Sequence, residues 1–329
     1  MQIAVWGHPY SEYPEGQDGI DDFRRGFERM REAGITLYIP FVLTHTKAYF
    51  HGTMLGDAER DLLSPVMQCG REFGIDIHPI IGFGAVGVQT GGLYDPGDIA
   101  DPPSFATSWR CARWPVVRET TVTVAQQMVA AYEPAGLHMD YMRYPNTVVL
   151  DQHPCHCERC RHARLQWLGK EIPDASDLSR PGVMHKEIQM RGEAITAVVE
   201  GLKQVARDAD IPLSLAARAR YLKDAVPEGQ DWARWAADGL LDTVCPMSYN
   251  PCDDRFQAFL DQHKPLMADT GAIWLAGIGR RSSLGEISAQ QMGKQIQMAV
   301  DAGAGGVCIF HAGVFEDEDY TVLRSLASA

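Results

Sequence analysis

Eight short apolar runs, each followed by a segment of helical periodicity, succeed one another along the 329-residue chain. The strand-like runs cover residues 3–6, 36–42, 76–82, 136–140, 212–217, 242–247, 273–277 and 306–311. Near-continuous apolar strands alternating with amphipathic helices call for a parallel sheet covered by helices. Eight such units are the number that closes a (β/α)8 barrel. The competing architecture, an open doubly wound sheet, announces itself by a Gly-rich phosphate turn after its first strand. Here that strand runs into Gly7-His8-Pro9-Tyr10, which has no GxGxxG pattern. The expectation is one α/β domain over residues 1–329, a single (β/α)8 TIM barrel.

The helical segments carry their own punctuation. Residues 22–33 follow Asp21 as N-cap and end at Gly34, and residues 57–73 end at Gly74 with Pro65 as an interruption. Residues 115–132 open with a proline suited to a first turn, residues 185–208 form the longest helix, and residues 288–302 end at Gly303. Two long loops remain, residues 82–103 after the third strand and 146–172 after the fourth. On a barrel both lie on the C-terminal face, where active sites sit.

Charge and hydropathy narrow the partners. The 30 Lys and Arg against 43 Asp and Glu give a formal charge of −13. That field disfavours nucleic acid and anionic membrane surfaces. No run of 18 apolar residues and no secretory leader pattern is visible, so the expected location is cytoplasmic.

Residues just past the strand ends point into a barrel's site. In order they are His8 and Tyr10; His45 and Lys47; Phe83; Asp140, Tyr141, Arg143 and Tyr144; Arg218 and Arg220; Ser248, Tyr249 and Asn250; Arg280; and His311. The densest segment is Gly136-Leu137-His138-Met139-Asp140-Tyr141-Met142-Arg143-Tyr144-Pro145. At the end of an apolar strand burial raises a carboxylate's pKa and a neighbouring arginine lowers it, so Asp140, with Arg143 three residues on, can be held ionised as a nucleophile or base. The bland alternative is a loop-capping Asp–Arg pair. Tyr10, Tyr141, Tyr249 and Trp274 offer flat rings to sugar faces. Arg143, Arg218, Arg220 and Arg280 in one pocket mouth suit a carboxylate or sulfate on the substrate.

This segment resembles the GxHxDxxRYP stretch of the glycoside-hydrolase-like, family-10-like ("GHL") TIM barrels. Similar matches follow in order: Gly34–Ile39 to the second strand, Gly74–His78 to the third, Cys111–Glu119 to the lead-in of the next helix, Cys245–Asn250 to the sixth strand and Gly306–Phe310 to the last. The resemblance implies a TIM barrel and a glycosidase acting on an oligo- or polysaccharide, with Asp140 central. Such chemistry needs a second carboxyl group. In barrels with an Asp nucleophile on the fourth strand, an Asp after the sixth often supplies the acid. By that analogy Asp254 or Asp253 leads as the acid and Glu316 follows, with Glu12 and Glu15 also placed after the first strand. Tyr10, His45, Tyr141, Arg143, Arg218, Arg220, Tyr249, Asn250, Trp274, Arg280 and His311 are the expected substrate contacts. Two alternatives stay open: a degenerate barrel that binds carbohydrate, and a metal-dependent sugar isomerase or aldolase drawing on His8, His45, His78 and His311.

Three of the eight cysteines, Cys155, Cys157 and Cys160, fall within six residues. The spacing suits a metal, but tetrahedral zinc needs a fourth ligand. Cys111 is placed for it, with His153, His156 and His162 as competitors and a disulfide or free thiols as the other readings. The cluster resembles the CxCxxC zinc site of family-42 β-galactosidases, which implies Cys111, Cys155, Cys157 and Cys160 around one structural Zn2+. That family's Asn-Glu pair after the fourth strand is missing here. Cys69, Cys245, Cys252 and Cys308 read as small buried hydrophobes.

Overall fold

A computed structural model describes residues 1–44, 47–55, 58–82, 93–97 and 109–327. All eight expected strands form: β1 (Gln2–Gly7), β2 (Leu37–Pro40), β3 (Asp76–Ile77, continued by Ile80–Ile81), β4 (Leu137–Met139), β5 (Leu213–Ala217), β6 (Thr243–Pro246), β7 (Ile273–Gly279) and β8 (Gly306–Phe310). Every pairing among them is parallel. The sheet begins on Asp76–Ile77, which pairs with β2, and ends on Ile80–Ile81, which pairs with β4. The two ends are one short stretch of chain, so β3 closes the barrel by turning at His78-Pro79 from one neighbour to the other.

Side chains of β1 show how the sequence builds two cores. Ile3 and Val5 face outward into the layer shared with the helices. Ala4 and Trp6 face inward and meet Leu37, Ile39, Ile80, Ala216, Cys245, Leu275 and Cys308 inside the barrel. This is the two-residue alternation of a strand. The interior also holds a polar chain. Trp6 Nε1 donates to His138 Nε2 (3.1 Å), His138 Nδ1 lies 2.8 Å from Ser214 Oγ, and that hydroxyl donates to Leu137 O (3.1 Å). The order of donors fixes the Nδ1–H tautomer, and burial holds His138 well below the ordinary histidine range.

The helices follow the sequence with informative differences. Pro115–Tyr132 forms as expected, Ala289–Ala302 is capped by Ser288 accepting the Gln291 N–H, and the long helix starts earlier, at Pro181. The first long helix runs Ile20–Glu32 with Gly19, not Asp21, as N-cap, because the Asp22 carboxylate reaches back to the Gly19 N–H at 3.0 Å. Pro65 does not interrupt its helix, which runs Leu63–Phe73 and places the proline in the first turn, where its missing N–H costs nothing. The segment 146–172 is not an open loop: it contains the helices Thr147–Gln152 and Glu158–Leu168. Most of the loop expected over 82–103 lies outside the described residues. No described helix is long and apolar enough to cross a membrane.

Candidate active site

At the C-terminal ends of the strands lies a cavity of about 330 Å³ floored by Trp6, Ile80 and Ala216 and walled by aromatic rings. A second cavity of about 560 Å³ adjoins it, the two sharing Arg143, Met247, Tyr249 and Ser283. Together they form a cleft across the barrel mouth. Tyr249 stacks on Phe310 with centroids 5.3 Å apart, and Tyr10 stacks on Tyr49 at 5.3 Å. Rings braced in this way present flat apolar faces at little entropic cost.

Asp140, the first residue past β4, is the one carboxylate among the described residues lining the smaller cavity. Its side chain is 18% exposed. The following residue, Tyr141, holds a left-handed backbone (φ 53°), and its N–H donates to Asp140 Oδ1 at 2.6 Å. A bulky residue in that region marks local strain, which clusters at functional sites. Gly82 at the end of β3 permits the close approach, since a Cβ there would stand 2.7 Å from the Asp140 carbonyl oxygen. Burial raises the Asp140 pKa, while Arg143, the Tyr141 N–H and Arg218 pull the other way.

Behind Asp140 stands an ion network whose acidic members, Glu228 and Asp224, are absent from the sequence reading. Arg143 bridges Asp140 (3.5 Å) and Glu228 (3.6 Å). Glu228 is 1% exposed and is also gripped by Arg218, whose Nη2 donates at 3.0 Å while Nε lies equally near but off the N–H line. Burial raises the Glu228 pKa, and Arg218 and then Arg143 oppose it. Asp224 takes Arg220 at 2.7 Å and stands 3.6 Å from Arg218. Glu228 and Asp224 fall ten and six residues after Arg218, Asp224 in the π-helical turn Tyr221–Ala225 after β5 and Glu228 just beyond it, with no sequence pattern to single them out. Only the folded contacts reveal them.

The structure brings some expected residues together and leaves others out. Tyr10, Tyr141, Arg143 and Tyr249 line the smaller cavity, and Arg218, Arg220 and Asn250 the larger. Arg280 is turned away: it is buried against Asp319 (2.7 Å) and Glu286 (2.9 Å) and also donates to the Ile287 carbonyl. Trp274 is the second residue of β7, at the opposite end of the barrel, where it packs edge-on to His263. Asp254 is exposed on the first turn of the helix Asp253–Met267 and lines neither cavity. Asp253 is held by Lys294 (2.7 Å), Gln291 and Gln295. Glu316 is exposed before the last helix and likewise lines neither cavity. His311 follows β8 and packs against His8 rather than lining the cleft. His45 and Phe83 lie outside the described residues. His8, Met247, Ser282 and Ser283 join the lining, the serines from a short hairpin after β7.

The cysteine cluster assembles on the same face. The sulfurs of Cys111, Cys155, Cys157 and Cys160 all lie within 4.8 Å of one another, all four residues are buried, and all are free thiols. Four thiolates around one tetrahedral ion stand about 3.8 Å apart; Cys111 and Cys160 are at 3.5 Å. His156 contributes its backbone to Asp95 and is outside the cluster. The surroundings are braced: buried Arg164 pairs with Glu187 (2.6 Å) and donates to the Cys155 carbonyl (2.7 Å), and Tyr144 OH meets Cys111 Sγ at 3.3 Å. Tyr144 belongs to the segment carrying Asp140 and Arg143, so the cluster ties that segment to residue 111. Cys69, Cys245 and Cys308 are buried as expected, but Cys252 is exposed at the head of a helix.

No protein-family model matches the chain, and no curated protein matches it by sequence. Solved structures do match by shape. The PgaB (BpsB) glycoside hydrolase domain from Bordetella bronchiseptica superposes with a TM-score of 0.72 at 14% identity, over 99% of this chain and 96% of that one. The α-L-fucosidase isoenzyme 2 from Paenibacillus thiaminolyticus gives 0.66 at 15% identity, over 99% of this chain and 48% of that one. A β-galactosidase from Halorubrum lacusprofundi gives 0.66 at 14% identity, over 100% of this chain and 58% of that one. The chain thus spans about half the length of the last two. At these identities the likeness establishes the barrel fold, and these neighbours are glycoside hydrolases.

Proposed function

We propose that the chain is a glycoside hydrolase acting on an oligo- or polysaccharide, with Asp140 as the carboxyl group at the scissile bond. The observation that carries this reading is the placement of Asp140. It is the one carboxylate among the described lining residues of an aromatic-walled cleft, held by its neighbour's N–H and by Arg143. A carboxyl whose pKa is raised keeps its proton further toward neutrality, the property needed to protonate a leaving glycosidic oxygen. Glu228 serves as a positioning residue, holding Arg143 and Arg218 from behind.

In the larger cavity, Arg220 and Arg255 favour an anionic substituent on the sugar. Arg220 is half exposed with one carboxylate partner, and Arg255 makes no ion pair among the described residues. The four buried cysteines hold one structural Zn2+ in this proposal, whose chemistry is to neutralise their thiolates and clamp the Asp140 segment to residue 111.

A second reading, a barrel that binds carbohydrate without cleaving it, is favoured by the lack of another described carboxylate lining the smaller cavity. A panel of neutral, N-acetylated and anionic oligosaccharides separates the two, with reducing-end release and binding both measured. The proposal expects release by the wild type and a loss of about a thousandfold or more in folded Asp140→Asn. Binding without release establishes the second reading, and neither binding nor release refutes both.

A further inference from the structure

We propose a second metal site, distinct from the cysteine cluster, in which His8, Glu12 and His311 bind a first-row divalent transition-metal ion at the wall of the cleft. The register of the barrel makes the juxtaposition. Parallel pairing sets Trp6 opposite Phe310, so the residues just past β1 and β8 emerge side by side. His8 heads the short helix Pro9–Glu12, and the Glu12 carboxylate folds back to accept the His8 N–H. One ligand atom from each of His8, Glu12 and His311 lies within 4.8 Å of the other two. The imidazoles meet edge to face with centroids 4.8 Å apart. Bound ligand atoms around such an ion stand about 3–3.5 Å apart, so loading draws this set together by at most about 2 Å.

Two features point to a ligand, and a glycine makes room for their assembly. His311 Nδ1 is buried and has no hydrogen-bond partner among the described residues, an unusual state for a ring nitrogen that metal coordination resolves. Gly313 permits the close packing of the two side chains: a Cβ there would stand 2.9 Å from Glu12 Cγ and 3.2 Å from His311 Nδ1. The carboxylate is also oriented from outside, since Tyr38 OH donates to Glu12 Oε2 at 2.6 Å, as outer-shell partners of metal ligands do. Two imidazoles and one carboxylate suit ions of the zinc, cobalt, nickel and iron group. Because His8 also lines the cavity, the ion stands at its edge. The inference does not depend on Asp140 or on glycosidic cleavage.

The test is a Co2+ titration of full-length, zinc-replete protein, followed by visible absorption and proton NMR. The expected result is saturation at one equivalent without thiolate-to-cobalt charge-transfer bands, and two hyperfine-shifted imidazole N–H signals. In folded His311→Ala and Glu12→Gln, affinity for Co2+ falls by about tenfold or more. The proposal is overturned if wild type does not saturate, if the bands show cobalt displacing zinc from thiolates, or if both variants bind as tightly as wild type. Should a variant not fold, the wild-type imidazole count decides alone, and fewer than two signals overturns the proposal.

Discussion

Replacing Glu228 with glutamine moves the titration of Asp140 through the arginine that the two carboxylates share. Arg143 stands between them, 3.5 Å from one carboxylate and 3.6 Å from the other. Allowing for the width of the guanidinium, the carboxylates are at most about 9 Å apart. Two unit charges at that separation interact by roughly 2 kcal/mol at an effective dielectric of about 20. Water at the cavity mouth and the charge of Arg218 reduce this to about 1 kcal/mol, or roughly 0.7 of a pKa unit. The sign is fixed. Removing a negative charge makes ionisation of Asp140 easier, and Arg143, no longer shared, favours the carboxylate further, so the Asp140 pKa falls. Carbon-13 NMR of aspartate-labelled protein measures it, with Asp140→Asn assigning the signal. The substitution also costs stability, on the order of 1–3 kcal/mol, because Arg218 and Arg143 lose a buried anionic partner; denaturant unfolding reads that directly. An Asp140 pKa that stays put or rises in a folded Glu228→Gln protein refutes the network.

Further expectations follow from the same contacts. Protein purified without chelators carries zinc at the cysteine cluster, and Cys157→Ser loses that equivalent by elemental analysis and unfolds at lower temperature; equal zinc in wild type and variant counts against the site. Burial lowers His78 and His263 to about 4, so the unfolded chain takes up protons before the native one does. Their contribution is complete above about pH 6.5 and is lost as pH falls toward 4, by up to roughly 3 kcal/mol each; urea midpoints at pH 7 and pH 4.5 test it. Gly82→Ala places a methyl against the Asp140 carbonyl and costs about 2 kcal/mol or more, with the Tyr141 amide resonance shifted as a local readout.

The barrel was legible because its evidence is local and repeated. Each strand is a short apolar run, and the helix over 115–132 carries its own proline start, so no distant contact is needed to place either. Pro65 misled because a proline's meaning depends on where the helix begins, and here Asp61 supplies acceptors for the Leu63 and Ser64 N–H groups that start it at Leu63. Asp140, Arg143 and the four cysteines were legible from their place at one strand end and from their spacing. Arg280 and Trp274 were misplaced for different reasons. An arginine after a strand reads the same whether it faces substrate or a buried Asp319, and Trp274 sits at the start of its strand rather than the end. Glu228 could not be found at all, since its significance lies in two arginines that only the fold brings to it.

A crystal structure of Asp140→Asn soaked with an oligosaccharide that the wild type cleaves bears most directly on the central claim. The account predicts sugar rings against Tyr249 and Tyr10, with the scissile glycosidic oxygen within about 3.2 Å of the residue-140 side chain. A sugar bound with its scissile linkage away from residue 140, or outside the cleft, contradicts it.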